Sequence, residues 1–345
     1  MHDTPHPVNN GIRTRVVGLL ALLFAGNAAA WLWALASFHT HPVLLGTALL
    51  AYMLGLRHAV DADHIAAIDN VTRKLVQRGG RPVTVGFWFS IGHSAIVFAL
   101  SGAVVLGSVA LEGRFGALSK VGRVLGTAIS AAFLLVLAAA NLAILASVYR
   151  RFRRVREGGP DDGEPLDAVF AGGGLGRLLK GLFGLIDNSW QMFPVGLLFG
   201  LGFDTATEVA LLGISALEAT RGLPSVDLMV FPALFAAGMV LVDSADSLLM
   251  LGAYGWAFVH PLRRLYYNLS LTAVSVLVAI LVGGLEVLGL IADEFGLKGR
   301  LWDWVGALNG HFGVMGVATA AFFAFSWLVA AAVYRWRGYD KVRTN

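Results

Sequence analysis

Long apolar segments recur along the whole chain and are separated by short polar ones. A helix needs about 20 apolar residues to cross the hydrocarbon core of a bilayer. Eight segments meet that length, at about residues 16–38, 43–69, 83–110, 122–148, 190–217, 228–258, 268–291 and 310–334. The pattern predicts an all-α integral membrane protein with eight transmembrane helices. We expect residues 1–345 to form a single transmembrane domain, with a polar linker at about 149–189.

The composition supports a membrane protein and narrows its chemistry. Hydrophobic residues make up 57% of the chain, charged residues 14%, and the mean hydropathy is +0.71. This leaves too little polar surface for a soluble globule. The chain has no cysteine, so any metal site must use nitrogen and oxygen ligands. The N-terminal MHDTPHPVNNGIRTR lacks the features of a cleaved signal peptide, and we expect it to be retained.

Basic residues are distributed unequally between alternate loops. With a cytoplasmic N-terminus, the cytoplasmic segments carry 19 Lys and Arg residues and the outer loops carry six. The cytoplasmic set includes loop 71–82, with Arg73, Lys74, Arg78 and Arg81, and the linker with its RRFRRVR sequence. The positive-inside rule therefore predicts cytoplasmic N- and C-termini. We expect the protein in a bacterial cytoplasmic (inner) membrane. Topology explains the net charge of +4, so we expect no nucleic-acid partner.

Ionisable residues are unusually frequent within four of the predicted spans. Each costs about 2.5–3.5 kcal/mol at the centre of a membrane helix, so such residues are rare unless paired or liganded. In a continuous helix, His58, Asp61 and His64 share one stripe. Asp63 would then bind Arg57 or orient a histidine, whereas in a broken helix it would be a direct ligand. The candidate metal ligands are His58, Asp61, Asp63 and His64 in span 2, His93 in span 3, Asp204 and Glu208 in span 5, and Asp243 and Asp246 in span 6.

Imidazoles and carboxylates together favour Ni²⁺, Co²⁺ or Zn²⁺, whereas an all-oxygen cage favours Mg²⁺ or Ca²⁺. The alternative for the span-2 cluster is an ion-paired packing site, and for the two acidic pairs it is hydrogen bonding to Ser and Thr. A lone histidine such as His93 is also often structural. The chain has no GxxxxGK[ST] sequence, so no ATPase subunit is implied. A metalloenzyme is disfavoured because no His-Glu-x-x-His is present, and we expect no cofactor beyond a transported ion.

Two of the polar motifs resemble each other. A shift of 147 residues places LGLRHAVD at Leu54–Asp61 over LGFDTATE at Leu201–Glu208, with an acidic residue last in both. Spans 2 and 5 run in opposite directions in the predicted topology. The match therefore suggests an inverted repeat that relates spans 2 and 3 to spans 5 and 6, an architecture that places substrate near the middle of the membrane.

Four motifs in the same order resemble those of the nickel/cobalt transporter (NiCoT) family of permeases. They are RHAVDADHIAAIDN at Arg57–Asn70, FSIGHSAIVF at Phe89–Phe98, LGFDTATE at Leu201–Glu208 and GMVLVDSADS at Gly238–Ser247. The last departs from the family, which more usually has Asp-Thr-x-Asp-Gly. The resemblance implies eight spans, uptake of Ni²⁺ and/or Co²⁺ without ATP, and essential roles for His58, Asp63 and His64. A divalent-metal exporter on a related fold is the alternative, because ligands do not determine direction.

Overall fold

A computed structural model describes residues 8–107, 115–157, 186–201, 206–257 and 261–336. All regular secondary structure in these residues is helical, which confirms the predicted all-α class. A short 3₁₀ helix covers Ser189–Gln191. The α-helices are α1 (Val8–Phe38), α2 (Pro42–His58), α3 (Ala62–Gln77), α4 (Val85–Gly107), α5 (Phe115–Arg156), α6 (Met192–Gly200), α7 (Ala206–Thr220), α8 (Ser225–Leu228), α9 (Val230–Ala257), α10 (Pro261–Phe295), α11 (Arg300–Asn309) and α12 (Phe312–Trp336).

Five described segments are long and apolar enough to cross a membrane: Gly11–Phe38, Val85–Val104, Val124–Ser147, Ser225–Ala253 and Leu269–Phe295. Two interrupted helix pairs, α2 with α3 and α11 with α12, raise the number to seven if each pair is one span. The predicted span 190–217 falls on α6 and α7, and residues 202–205 between them lie outside the described residues. The count of eight therefore stays a prediction. Many large apolar side chains are exposed, as expected for a multi-pass protein that faces lipid.

The predicted second span is not one continuous helix. Its first part, α2, begins with Pro42 at a position where proline is favoured and ends at His58. Asp61 has an extended backbone with φ −68° and ψ 148° and precedes the first residue of α3. The continuous helix that would place His58, Asp61 and His64 on one stripe is therefore wrong, and the alternative of a broken helix holds, because residues 59–61 are not helical.

The described chain divides into two compact units, and the first comprises Met1–Val60, Arg81–Thr127 and Asn188–Leu248. Glycines allow its helices to approach closely. A Cβ on Gly92 of α4 would lie 2.0 Å from the Phe193 carbonyl oxygen of α6, and a Cβ on Gly55 of α2 would lie 2.0 Å from the Phe235 oxygen of α9. Only a residue without a side chain fits at these crossings.

Within this unit, helix α1 contacts α2 and α9 through polar and aromatic side chains. The Asn27 amide donates to the Ala237 carbonyl of α9 at 3.3 Å, and the Tyr52 hydroxyl of α2 donates to Asn27 Oδ1 at 2.9 Å. Phe38 stacks on Phe231, with ring centroids 5.6 Å apart. These contacts join α1 to both helices of the α2–α9 crossing.

The second unit comprises Asp61–Gly80, Ala128–Asp187 and Leu249–Asn345. Within it α3 packs on α10 and α12, and α10 also packs on α11 and α12. Helix α3 ends where Gly79 adopts a left-handed conformation with φ +81° and donates to the Val76 carbonyl. Ser130 of α5 donates to the buried carboxylate of Glu286 on α10 at 3.0 Å.

The loop predicted at residues 71–82 begins inside α3, and two of its basic residues are buried. Arg73 is 0% exposed and donates to Asn70 at 3.0 Å, to Thr272 at 3.0 Å and to Ser275 at 3.2 Å. Lys74 donates to the Ile186 carbonyl at 2.6 Å. Both residues therefore belong to a helix core and not to a basic loop.

The predicted linker at about 149–189 also begins later than expected. Helix α5 continues to Arg156, so the first residues of that segment are helical. Residues 158–185 lie outside the described residues. The orientation of the termini and the single-domain organisation stay predictions.

Candidate metal site

Two histidines and one glutamate from three helices meet in the first unit. His58 on α2 and His93 on α4 face each other with their Nε2 atoms 3.1 Å apart. The Oε1 atom of Glu208 on α7 lies 2.9 Å from His93 Nε2 and 3.8 Å from His58 Nε2. All three side chains are buried. Three atoms that can each offer a lone pair therefore form a small triangle.

The triangle has the size that a first-row divalent ion requires. At a metal–ligand bond of about 2.0–2.1 Å, neighbouring ligand atoms lie about 2.9 Å apart in octahedral and about 3.3 Å apart in tetrahedral geometry. The three observed separations, from 2.9 to 3.8 Å, span these values. Binding would require shifts of only a few tenths of an ångström. Since the donors are two nitrogens and one carboxylate oxygen, they fit Ni²⁺, Co²⁺ or Zn²⁺ better than Mg²⁺ or Ca²⁺.

The end of α2 and the start of α7 stabilise charge at this site. His58 is the last residue of α2, where the helix dipole favours positive charge. Glu208 lies in the first turn of α7, where the dipole favours a carboxylate. The interruption of the second span thus ends α2 at the residue that enters the triangle.

Close packing of α4 on α6 fixes the backbone of His93. A Cβ on Gly196 would lie 2.9 Å from the His93 nitrogen, and a Cβ on Gly200 would lie 2.9 Å from its carbonyl oxygen. On α4, Gly92 directly precedes His93 and packs against the backbone of α6. Any side chain at these glycines would push α4 and α6 apart, so the glycines set where His93 stands.

A buried phenylalanine ring lies beside each of the two imidazoles. The Phe235 ring lies 5.5 Å from the His58 ring, and the Phe89 ring lies 6.3 Å from the His93 ring. Both phenylalanines are 0% exposed. In such apolar surroundings, electrostatic attraction between a cation and the Glu208 carboxylate is stronger than in water.

A hydroxyl contacts the second nitrogen of His58. Thr207 Oγ1 lies 3.2 Å from His58 Nδ1, and Thr207 is buried. Thr207 directly precedes Glu208, so consecutive residues of α7 approach both ring nitrogens of one histidine. Sequence reasoning missed Thr207, although the TATE end of its motif places a hydroxyl beside the predicted glutamate.

The predicted acidic pair of span 6 lies on α9. Asp243 is fully buried and accepts a hydrogen bond from Ser90, which stands three residues before His93 on α4. A Cβ on Gly86 would lie 2.0 Å from the Asp243 carbonyl oxygen, so α4 and α9 also cross closely. Asp246 is half-buried further along α9. Ser90 is a second hydroxyl that sequence reasoning did not select.

The remaining predicted residues are each described within their own part of the chain. Asp61, Asp63 and His64 belong to the second unit, where Asp61 and His64 are buried and Asp63 is half-buried in the first turn of α3. Asp204 lies outside the described residues. Within the first unit, the structure thus brings together His58, His93 and Glu208 from the predicted set.

Comparisons with known proteins identify transporters. The family model described as "High-affinity nickel-transport protein" (NicO) matches residues 44–333. The chain is 56% identical over 341 residues to a high-affinity nickel transport protein of Cupriavidus necator, covering 99% of this chain and 96% of that protein. It is 46% identical over 296 residues to the nickel transporter NicT of Mycobacterium tuberculosis, covering 85% and 79% of the two chains.

Relatives also include a cobalt carrier. The chain is 38% identical over 335 residues to the cobalt transport protein NhlF of Rhodococcus rhodochrous, covering 94% of each chain. No solved structure matches. The family and these relatives are transporters and not enzymes. The chain is therefore a member of the high-affinity nickel-transport family of nickel/cobalt permeases.

Proposed function

We propose that the chain is a secondary transporter that takes up Ni²⁺ and/or Co²⁺ across the bacterial cytoplasmic membrane and binds the ion through His58, His93 and Glu208. The observation that carries this proposal is the buried triangle of two imidazole nitrogens and one carboxylate oxygen, with sides of 2.9, 3.1 and 3.8 Å. The relatives are named as nickel and cobalt transporters, which supports the same substrates.

The cluster balances part of the charge of a divalent ion. Two neutral imidazoles and one carboxylate leave a divalent ion with one uncompensated positive charge, which further acidic residues of the predicted set would reduce. Because ionisable residues in membrane spans are rare unless paired or liganded, further candidate ligands at this or another step of transport are Asp61, Asp63, His64, Asp204, Asp243 and Asp246. An ion bound by only part of this set would be bound weakly enough to be released again.

We also propose that an inverted repeat underlies the transport unit. The supporting observation is a pair of matching helix crossings. At one crossing Gly55 of α2 meets the Phe235 carbonyl of α9, and at the other Gly196 of α6 meets the Phe89 carbonyl of α4. The reciprocal contacts match as well, because Gly238 meets the carbonyl of Tyr52 and Gly92 meets the carbonyl of Phe193.

Ring contacts follow the same correspondence. His58 packs on Phe235 at 5.5 Å, and Phe199 packs on Phe89 at 5.2 Å. In this correspondence Gly55 is equivalent to Gly196, whereas the shift of 147 residues found in the sequence places Gly55 over Gly202. The new register also aligns Asp63 with Asp204. At the first crossing the equivalent position is occupied by the imidazole of His58, and at the second by the phenyl ring of Phe199.

Such a repeat gives a physical route for transport. Two halves that cross at a buried ion site can rock against each other and open it to each side in turn. The inward electrical potential of a cell favours uptake, since moving a divalent ion releases about 4.6 kcal/mol per 100 mV. Cytoplasmic termini, as the basic-residue bias predicts, are consistent with an inverted arrangement.

Uptake of radiolabelled nickel and cobalt by bacterial cells that express the chain tests the proposal. We expect accumulation above cells with an empty vector, loss of accumulation in His93→Ala, and normal accumulation in the matched variant His39→Ala, whose exposed imidazole contacts only the nearby Ala36 carbonyl among the described hydrogen bonds. Reduced metal in expressing cells preloaded with nickel would instead support an exporter. Uptake by His93→Ala equal to the unaltered protein, at equal membrane content, would refute the site.

A further inference from the structure

The imidazole of His58 is contacted at both of its ring nitrogens. Nε2 belongs to the donor triangle, and Nδ1 lies 3.2 Å from the Thr207 hydroxyl oxygen. Both residues are 1% exposed, so this contact is not shared with bulk solvent. The metal proposal uses the first nitrogen and leaves the role of the second contact to be explained.

A neutral imidazole carries its hydrogen on one nitrogen and a lone pair on the other. An ion can bind at Nε2 only if that atom has the lone pair, and the hydrogen must then be on Nδ1. A hydroxyl has two lone pairs and can accept this hydrogen. We propose that Thr207 is a positioning residue for the metal site: its hydroxyl accepts the Nδ1 hydrogen of His58 and so directs the Nε2 lone pair toward the ion.

The arrangement of α7 supports this role. Glu208, the next residue, lies 3.8 Å from His58 Nε2, so adjacent residues of the first turn of α7 approach opposite sides of the ring. A hydrogen bond at Nδ1 also stops the ring from rotating out of the triangle. Histidines that bind metals generally donate their second ring hydrogen to an oxygen acceptor such as a carboxylate, a backbone carbonyl or water, and removal of that acceptor typically lowers metal affinity by about 10–100-fold.

A packing role for Thr207 predicts a different result from the hydroxyl role. Thr207→Val keeps the shape of the side chain and removes the hydroxyl, whereas Thr207→Ser keeps the hydroxyl and removes the methyl group. We expect Ni²⁺ affinity to fall about 10–100-fold in Thr207→Val and to stay within about threefold of the unaltered protein in Thr207→Ser. If the methyl group matters instead, Thr207→Ser will be the weaker binder, and the inference is overturned.

Calorimetric titration of Ni²⁺ into the full chain in lipid nanodiscs measures these affinities. Thermal melting of the same samples checks that each variant is folded, and Thr207→Ala replaces Thr207→Val if the latter is not recovered. Absorption spectra with saturating Co²⁺ provide a second readout. Because the ligands are retained, the bands of Thr207→Val should stay at their original wavelengths. A shift as large as that of His93→Ala would mean that Thr207 is itself a ligand.

The inference rests on the proposed metal site, and one variant separates the two. If His93→Ala binds Ni²⁺ as tightly as the unaltered protein, the proposed site itself is wrong. If His93→Ala loses binding while Thr207→Val binds normally, the site stands and the role of Thr207 is rejected.

Discussion

Each of the two units contains a buried polar cluster, and the two clusters differ in whether they contain their own cation. In the first unit, His58, His93 and Glu208 bring two imidazole nitrogens and a carboxylate oxygen to within 3.8 Å of one another. In the second unit, the guanidinium of Arg73 donates to three side-chain oxygens, and Ser275 donates to Asp69 at 2.6 Å. The first cluster brings together atoms that can bind a cation, whereas the second already contains a cation, the guanidinium of Arg73.

This difference separates two reasons for placing charge inside a membrane protein. Any buried ionisable group is costly, so it needs compensation from another group or from a ligand. Arg73 and Asp69 are compensated through Ser275 and their neighbours, which suits a permanent role in packing α3 on α10. Three converging acceptors are better compensated by a divalent ion, and this suits a site that fills and empties.

The largest effect is expected from Arg73→Leu. This change removes the buried donor to Asn70, Thr272 and Ser275, and each buried acceptor left without its hydrogen bond costs about 1–3 kcal/mol. We expect little folded protein by size-exclusion chromatography of membrane extracts. Arg150→Leu, at an exposed position near the end of α5, is the matched control and should express normally. Normal folding of Arg73→Leu would show that the second cluster is not a packing site.

The close helix crossings of the first unit should be sensitive to one methyl group. In Gly92→Ala, the added Cβ would stand 2.0 Å from the Phe193 carbonyl, and overpacking of this kind costs about 1–3 kcal/mol or more. We expect a lower melting temperature together with weaker Ni²⁺ binding, because His93 follows directly. Gly102→Ala on the same helix has open space around its Cβ and should melt as the unaltered protein does. Equal melting of the two variants would argue against the tight crossing.

Glu208→Gln sharpens the contrast between the clusters, because it removes charge without removing shape. The amide cannot balance a divalent ion as the carboxylate does, so we expect at least about tenfold weaker Ni²⁺ binding. Folding should be retained, unlike that of Arg73→Leu. Glu218→Gln on the same helix, whose partner is Arg221 at 2.8 Å, serves as the control and should bind normally. Calorimetry and melting on the same samples measure both properties.

The smallest effect is expected at the ion pair of Arg78 and Asp187 in the second unit. Their side chains are 26% and 51% exposed, and pairs of this kind contribute at most about 1 kcal/mol. Arg78→Gln should therefore shift the midpoint of thermal melting only slightly. A loss as large as that of Arg73→Leu would mean that exposure is a poor guide to the importance of charges in this unit.

Much of the fold class and part of the site could be predicted from sequence. Apolar segments of sufficient length predict helices that span a membrane, and the rarity of charge within them marks His58, His93 and Glu208. The interruption at residues 59–61 has no proline or glycine to announce it, so the continuous stripe was a wrong prediction. Asp61, a residue type that often precedes helices, is the only local indication.

Burial of charged residues near a helix end was harder to foresee. Arg73 and Lys74 follow an apolar segment and precede a polar one, so they resemble a basic loop. Their placement depends on partners far away in sequence, because Thr272 and Ser275 are 199 and 202 residues from Arg73. The role of Thr207 likewise depends on a ring 149 residues earlier in the chain. Such contacts exist only after folding.

X-ray absorption spectroscopy of Ni²⁺ bound to the purified protein tests the central claim most directly. Imidazole ligands add characteristic outer-shell scattering to the spectrum, while carboxylate and water ligands do not. We predict scattering from at least two imidazoles in the unaltered protein and in His39→Ala, and from one fewer in His93→Ala. A spectrum described by oxygen ligands alone, or identical spectra for the unaltered protein and His93→Ala, would contradict metal binding by His58 and His93.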